Sequence, residues 1–373
     1  MVKVSAPGKL FLSGEWSILE VGNPGIVAAV NKRVYVDVSD STDEKIHITI
    51  RDFDIHDLKA GFDGDELKFE RELNEKEKQD TLFMKASIET ALKYLGNWKP
   101  FKIESWGEET VIEIEGKKKK VGFGSSAASV VAVIAGILKF HGEDIESAQA
   151  KKKIYKLAAI THYFAQGKVG SAFDVAASTY GGVFVYQRFD PNWLIDKVES
   201  GMSLRDIVEQ EWPSFKVEPL EIPEDFELII GWTKQSASTS AMVKQMRGFK
   251  ESSPEEYKKI YDNIANLVKE IIAAWKERDK ERILQLLRKN EEYLRELGQK
   301  SGVNIETEDL RKLSELANEV GAAGKLSGAG GGDCGIAVCF DKEIGEAVEE
   351  KWKEAGFYIV NATVDRDGVR TEN

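Results

Sequence analysis

Apolar and polar residues alternate over Val34 to Val38, Ile46 to Ile50 and Val111 to Glu115, the period of two expected of strands with one buried face. From Thr81 to Leu95 the spacing becomes helical, with Leu82, Phe83, Ile88, Leu92 and Leu95 as the apolar positions and Gly96 as the stop. Ser126 to about Phe140 and Lys151 to Phe164 read as two more helices, and Tyr180 to Arg188 as a strand opening on the Gly181–Gly182 pair. The pattern is irregular between Asp190 and Pro223, which places a domain junction there and divides the chain into 1–200 and 201–373. Phe226 to Trp232 then predicts a buried strand. Ser253-Pro254-Glu255-Glu256 predicts a helix start, with Ser253 as cap, Pro254 at the first position and Glu256 completing a capping box. That helix carries Ile260, Ile264, Leu267, Val268, Ile271 and Trp275 on one stripe. Helices follow at Lys280 to Leu297 and Glu308 to Val320, ended by Gly298 and Gly321. A strand (Cys334 to Phe340), a helix (Lys342 to Ala355) and a last strand (Phe357 to Val364) complete an α+β chain of two mixed domains.

Composition narrows the class. Of 373 residues, 42% are hydrophobic, enough for a sizeable core and too many for a disordered chain. The formal net charge of −12 argues against nucleic acid as a partner, since neutralising phosphates requires clustered Lys and Arg. The longest apolar run, Val130 to Leu138, falls far short of the ~20 residues that span a bilayer, so no membrane association is expected. Two cysteines, Cys334 and Cys339, supply no disulfide framework, and the N-terminus does not read as a signal peptide. A cytoplasmic protein, monomer or homodimer, is the expectation.

Three segments are chemically costly. Gly122-Phe-Gly-Ser-Ser-Ala-Ala-Ser129 leads into the apolar run at Val130. Glycines before a helix let a ligand approach the backbone, the first helical N–H groups are open donors, and the hydroxyls of Ser125 and Ser126 can meet phosphate or metal. A Walker A reading fails because no Lys-Ser or Lys-Thr pair follows the glycines. A dinucleotide reading lacks the second strand and its acid, because Glu143 onward is polar and helical. Lys325-Leu-Ser-Gly-Ala-Gly-Gly-Gly-Asp333 is a second anion loop, whose ordering entropy needs a compensating ligand. Ala6-Pro-Gly-Lys9 presents a lysine after a turn. Together they suggest a ligand with several phosphates. The bland features are Lys117 to Lys120, read as a solvated hairpin turn, and His47, His56 and His141, which show no metal spacing.

The set Ala6 to Trp16, Gly122 to Ser129 and Lys325 to Asp333 resembles the three signatures of the GHMP kinases, the superfamily of galactokinase, homoserine, mevalonate and phosphomevalonate kinases. The resemblance implies an N-terminal domain like ribosomal protein S5 domain 2 and a ferredoxin-like C-terminal domain, with ATP between them. Within the superfamily, Gln166 to Ala177, Tyr186-Gln-Arg-Phe189 and Gly231 to Ser240 are similar to the phosphomevalonate kinases. That similarity implies transfer from ATP to 5-phosphomevalonate with Mg2+. Mevalonate kinases usually have a Pro-Ser-Gly-x-Asp form where this chain has Gly170-Ser-Ala-Phe-Asp174, and the Lys-Tyr-Trp-Gly-Lys motif of the decarboxylases is missing. A mevalonate kinase, a decarboxylase or a non-catalytic sensor are the alternatives.

The resemblance also implies roles. Lys9 and Asp174 are the catalytic pair, with Asp174 as base or as a positioning group. Gly122, Gly124, Ser125, Ser126, Ala127 and Ala128 would bind ATP, Ser126 also the metal. Lys9, Ser129, Ser238, Thr239, Ser240, Gly328, Ala329 and Gly330 would contact the substrates. One departure stands out: His162 falls near the position where relatives carry a magnesium-binding glutamate, and a histidine nitrogen is a poor ligand for Mg2+.

Overall fold

The computed structural model describes residues 1–107, 111–114, 117–120, 123–235 and 239–372. The chain begins with β1 (Val2–Ser13), β2 (Pro24–Asp40), β3 (Ile46–Ile50), β4 (Ile55–Phe62), β5 (Leu67–Phe69), α1 (Glu75–Leu95) and β6 (Phe101–Gly107). A hairpin of β7 (Val111–Ile114) and β8 (Lys117–Lys120) precedes α2 (Ser125–Phe140), α3 (Ala148–Ala165), α4 (Phe173–Tyr180) and β9 (Val183–Gln187). Next come α5 (Pro191–Glu199), α6 (Leu204–Glu209), β10 (Lys216–Leu220), β11 (Glu227–Trp232) and α7 (Thr239–Ser252). The remainder is α8 (Pro254–Glu277), α9 (Lys280–Ser301), α10 (Glu308–Glu319), β12 (Ala323–Leu326), β13 (Cys334–Cys339), α11 (Lys342–Glu354), β14 (Tyr358–Ile359) and β15 (Arg370–Thr371).

The first sheet runs β10-β9-β2-β6-β3-β4-β5, with β1 laid between β2 and β15; β3 and β6 are parallel and the other pairs antiparallel. The second sheet, β12-β13-β11-β14, is antiparallel throughout. Most of β1 and the first part of β2, Pro24 to Val30, are buried on both faces. Phe11, Val27 and Ala29 join the core under α2, while Leu10, Leu12, Ile26, Ala28 and Val30 pack with Trp232, Val268 and Ile271 of the second unit. That double burial explains why Leu10-Phe-Leu is a continuous apolar run rather than an alternating one. It also brings the two units together beside the end of β1. Helix α2 is buried from Val130 to Leu138 because it lies between the sheet and helices α1, α3 and α4.

Several sequence expectations change. α1 starts six residues before Thr81, at a capping box in which Asn74 accepts from the Glu77 N–H (2.9 Å) and Glu77 accepts from the Asn74 N–H (3.0 Å). Its buried stripe is Met84, Ile88, Ala91 and Leu92 with Thr81 and Ser87, whose hydroxyls bond back to helix carbonyls, and Leu82 faces solvent. The irregular stretch after Asp190 holds α5 and α6, each capped by a polar side chain (Asp190 and Ser203), and β10, which extends the first sheet beyond residue 200. Ser253 makes no capping bond to α8; Pro254 at the first position suffices. α9 runs through Gly298 and ends at Gly302, which has φ +70°. Lys117–Lys120 pairs as a strand, where a turn was expected. The last predicted strand is only Tyr358–Ile359, because beyond it the chain crosses back: Val364 bridges Val30 and β15 pairs with β1. No helix among the described residues is long and apolar enough to cross a membrane.

Candidate functional site

A cavity of about 840 Å³ opens where the units meet, and its wall includes Lys9, Gly124, Ser125, Ser126, Asp174, Thr239, Ser327, Gly328, Ala329 and Gly330. Segments separated by more than a hundred residues thus face one space. β1 changes register against β2 between Pro7 and Gly8, and the Lys9 N–H leaves the ladder to bond the Phe123 carbonyl at 2.9 Å. This irregularity ties β1 to the loop ahead of α2. Gly124, with φ +72°, caps α2 where a Cβ would lie 3.0 Å from Lys9 Cγ and 3.6 Å from Asp174 Cβ. The left-handed backbone favours glycine there, and a Cβ would crowd the Lys9 side chain. Lys9 Nζ also stands 5.7 Å from the centre of the Phe173 ring.

Asp174 is in the first turn of α4, behind Ala172 at φ +59°, and its Oδ1 accepts from the Val175 N–H at 3.0 Å. Ser178 of the same helix donates to the Pro7 carbonyl at 2.7 Å, so α4 and the Lys9 strand hold each other in place.

At the start of α2, the Ser125, Ser126 and Ala127 N–H groups precede the first intrahelical bond, from the Ala128 N–H to the Gly124 carbonyl. The Ser125 Oγ is buried and has no hydrogen-bond partner among the described residues. Ser126 Oγ lies 3.2 Å from His162 Nε2, which Gln166 also approaches at 3.2 Å. Burial, against the opposing charge of Asp174, holds the His162 imidazole below its ordinary pKa, and the ring stacks on Phe83. His162 is therefore a neutral partner of a phosphate-loop serine. Ala127 and Ala128 turn their methyls into the core and offer only backbone, while Ser129 is half-buried and set back from the cavity wall. Gly122, Ser238 and the side chain of Ser240 lie outside the described residues.

The third loop is anchored on both sides. Ser327 Oγ donates to the Phe11 carbonyl and accepts from the Phe11 N–H, both at 2.9 Å, and Trp16 Nε1 donates to the Ala329 carbonyl at 3.2 Å. Gly331 N–H bonds the Ile305 carbonyl at 2.8 Å. Beneath the loop, Lys325 pairs with Glu15, both fully buried, and donates to the Leu326 carbonyl at 2.5 Å. Glu291 accepts from the Leu326 N–H at 3.0 Å and from Ser314 at 3.1 Å; burial pushes its carboxyl up to about 8 against the pull of Lys325. Sequence reasoning missed Glu15, Trp16 and Ile305 as parts of the site. Glu15 and Trp16 sit inside the first motif, but nothing local reveals partners some three hundred residues away.

Gly330 offers a direct check of this anchoring. Its φ is +79°, and an added Cβ would collide with the Ile305 carbonyl oxygen. Gly330→Ala should raise the KM for the phosphate-bearing ligands about fivefold or more, because strain at such a position costs of order 1–3 kcal/mol. Steady-state kinetics beside a thermal melt would separate a displaced loop from a protein that no longer folds.

Comparison with known proteins gives this geometry a context. Residues 83–182 match the family described as the GHMP kinases N terminal domain, and residues 267–357 the family described as GHMP kinases C terminal. The chain is 28% identical over 371 residues to a protein of Streptomyces sp. (strain CL190) named phosphomevalonate kinase, covering 98% of this chain and 97% of the relative. It is also 28% identical over 381 residues to a protein of Thermococcus sibiricus named mevalonate kinase, covering 100% and 98%. Among solved structures, phosphomevalonate kinase of Streptococcus pneumoniae in complex with phosphomevalonate and AMPPNP superposes with a TM-score of 0.80 at 25% identity, covering 98% of this chain and 100% of that one.

Proposed function

Because this chain belongs to the GHMP kinases, we propose that it transfers the γ-phosphoryl group of ATP to 5-phosphomevalonate, giving ADP and 5-diphosphomevalonate. The observation that carries the proposal is the convergence of Lys9, the start of α2, Asp174 and the Gly328–Gly330 loop on one cavity. The nucleotide-binding unit, expected at 1–200, would run on through β10 and take in β15, and most of 201–373 would form its partner.

An oxygen of the acceptor's phosphate attacks the γ-phosphorus, the bond to the β-phosphate oxygen breaks, and ADP leaves with that electron pair. Two polyanions must therefore meet, so positioning and charge neutralisation carry the catalysis. Lys9 supplies the positive charge between donor and acceptor. The N–H groups of Ser125, Ser126 and Ala127 and the Gly328–Gly330 amides hold phosphate oxygens, helped by the positive end of the α2 dipole. A phosphate monoester has its second pKa near 6, so the attacking oxygen is largely ionised at neutral pH and needs little help from a base. Asp174 then serves chiefly to hold Lys9 and the acceptor oxygen in line. Thr239, which lines the cavity, with Ser238 and Ser240 on the same segment, would offer hydroxyls to the acceptor without adding fixed charge.

Mg2+ fits these residues when it arrives with the nucleotide. The Ser125 Oγ, which has no partner among the described residues, the Ser126 hydroxyl and the Asp174 carboxylate are oxygen donors on one wall, which matches a cation that takes one or two protein oxygens besides phosphates. It would neutralise charge on the β- and γ-phosphates. His162 is not part of that set.

An ATP-coupled assay with phosphomevalonate and mevalonate side by side tests the assignment. The expected preference for phosphomevalonate is about 100-fold or more in kcat/KM, since a site built for the second phosphate leaves its donors unpaired without it. The opposite preference would make the protein a mevalonate kinase, and release of CO2 a decarboxylase.

A further inference from the structure

Leu19, Gly170 and Val243 line the main cavity and also a second, smaller one of about 200 Å³ beside it. The smaller cavity is lined by four cationic side chains, Lys168, Arg188, Arg247 and Lys250, against one carboxylate, Glu20. Such a surplus of positive charge is unexpected in a chain of net charge −12. Arg188 is its most constrained member, with 7% of its surface exposed. Its guanidinium donates to the Leu19 carbonyl at 2.8 Å and the Gly170 carbonyl at 3.1 Å, both backbone groups of the shared wall. Its Nε is buried and finds no hydrogen-bond partner among the described residues.

A guanidinium keeps its charge, and burying it with hydrogen bonds to neutral carbonyls and one donor unused is costly unless an anion lies close by. Glu20 meets that need only in part: the Arg188 charge is among those that lower its carboxyl, but its hydrogen bonds go elsewhere. Its Oε1 accepts from Lys250 at 2.6 Å and Tyr257 at 2.7 Å, bonds that outweigh burial and hold the carboxyl below its ordinary pKa. Lys168 is likewise engaged with Glu199 at 3.0 Å. Arg188 also belongs to the Tyr186–Phe189 segment, which the reaction at Lys9 does not use.

We propose that this smaller cavity is an anion subsite that receives the carboxylate of the acceptor, with Arg188 as its principal donor. The assignment rests on the phosphomevalonate reading. That acceptor has a phosphate at one end and a carboxylate at the other, and transfer requires the phosphate end at Lys9 and α2. The carboxylate end is then directed along the wall of Leu19 and Gly170 toward the cations. The subsite selects a 3-hydroxy acid chain over an uncharged one and orients it for in-line attack.

The test compares phosphomevalonate with 3-hydroxy-3-methylbutyl phosphate, which lacks only the carboxylate. The unsubstituted protein should lose about 10- to 100-fold in kcat/KM on the analogue, the scale of one or two charge-assisted hydrogen bonds. Arg188→Lys and Arg247→Ala should each raise the KM for phosphomevalonate and leave both the KM for ATP and the activity on the analogue nearly unchanged. Equal losses on the two acceptors would mean that the cations only support the fold, and would overturn the proposal. Crystals soaked in selenate provide an arm independent of turnover, with anomalous density expected against Arg188. Empty density there overturns the subsite whatever the acceptor. Selenate bound at Arg188 in a protein that does not turn over phosphomevalonate would instead overturn the acceptor reading, and the carboxylate assignment with it.

Discussion

Replacing Lys9 by methionine should lower kcat by about 100- to 1,000-fold, the usual effect of removing one preorganised stabiliser of transition-state charge. KM for ATP should change far less, because the α2 N–H groups and the glycine loop still hold the nucleotide. The size of the effect follows from where Lys9 stands. It sits against Gly124 and Asp174 at the mouth of α2, where negative charge accumulates as two phosphates approach, and a neutral side chain offers nothing in its place. Asp174→Asn should cost less, for the acceptor oxygen is already ionised. The asparagine can still accept the Val175 N–H through its amide oxygen, so the first turn of α4 stays intact. Stopped-flow or steady-state kcat for the two variants decides the ranking. Near-full activity of Asp174→Asn beside a dead Lys9→Met would reduce Asp174 to a structural carboxylate. Equal collapse of both would make it a base in its own right.

The second large effect is one of stability. Lys325→Met should destabilise the protein by about 3–5 kcal/mol, because it leaves the buried Glu15 carboxylate without its counter-charge. Glu15→Gln alone should cost a comparable amount by stranding the lysine. The double variant should recover most of the loss, since two neutral side chains of similar volume carry no desolvated charge. Urea unfolding of the three variants gives the cycle. A single-variant loss under about 1 kcal/mol, the level of exposed pairs, would mean that water or Glu291 compensates the site. Because Glu15 follows β1 and Lys325 precedes the glycine loop, the same cycle read in KM for ATP reports how far this pair aligns the two motifs.

Much of the fold was legible in the chain. α8 is the clearest case: every apolar position of its predicted stripe, from Ile260 to Trp275, is buried. β3 and α2 lie where period and glycine punctuation put them, because strand and helix periodicity is a property of neighbouring residues. α1 shows the limit of that reading. Leu82 fits the helical spacing as well as Ile88 does, yet it faces solvent, because the face that packs on α2 and α3 is decided by those helices and not by α1 alone. The stretch after Asp190 looked structureless because α5, α6 and β10 are too short to display a period.

The candidate site divides along the same line. Gly124, Ser125, Ser126, Gly328 and Gly330 announce themselves by composition, since loops so rich in glycine and serine before a helix or a strand are costly unless something binds there. Sequence by itself thus determined the longer elements, the polyphosphate chemistry and the family resemblance. Tertiary structure alone decided that Glu15 meets Lys325 across 310 positions, that His162 faces Ser126, that Arg188 braces Leu19 and Gly170, and that the C-terminal residues return to pair with β1. The physical reason is range. Periodicity, capping and turn chemistry act within a few residues, whereas a buried charge finds its partner only when packing excludes water and sets which side chains share the interior.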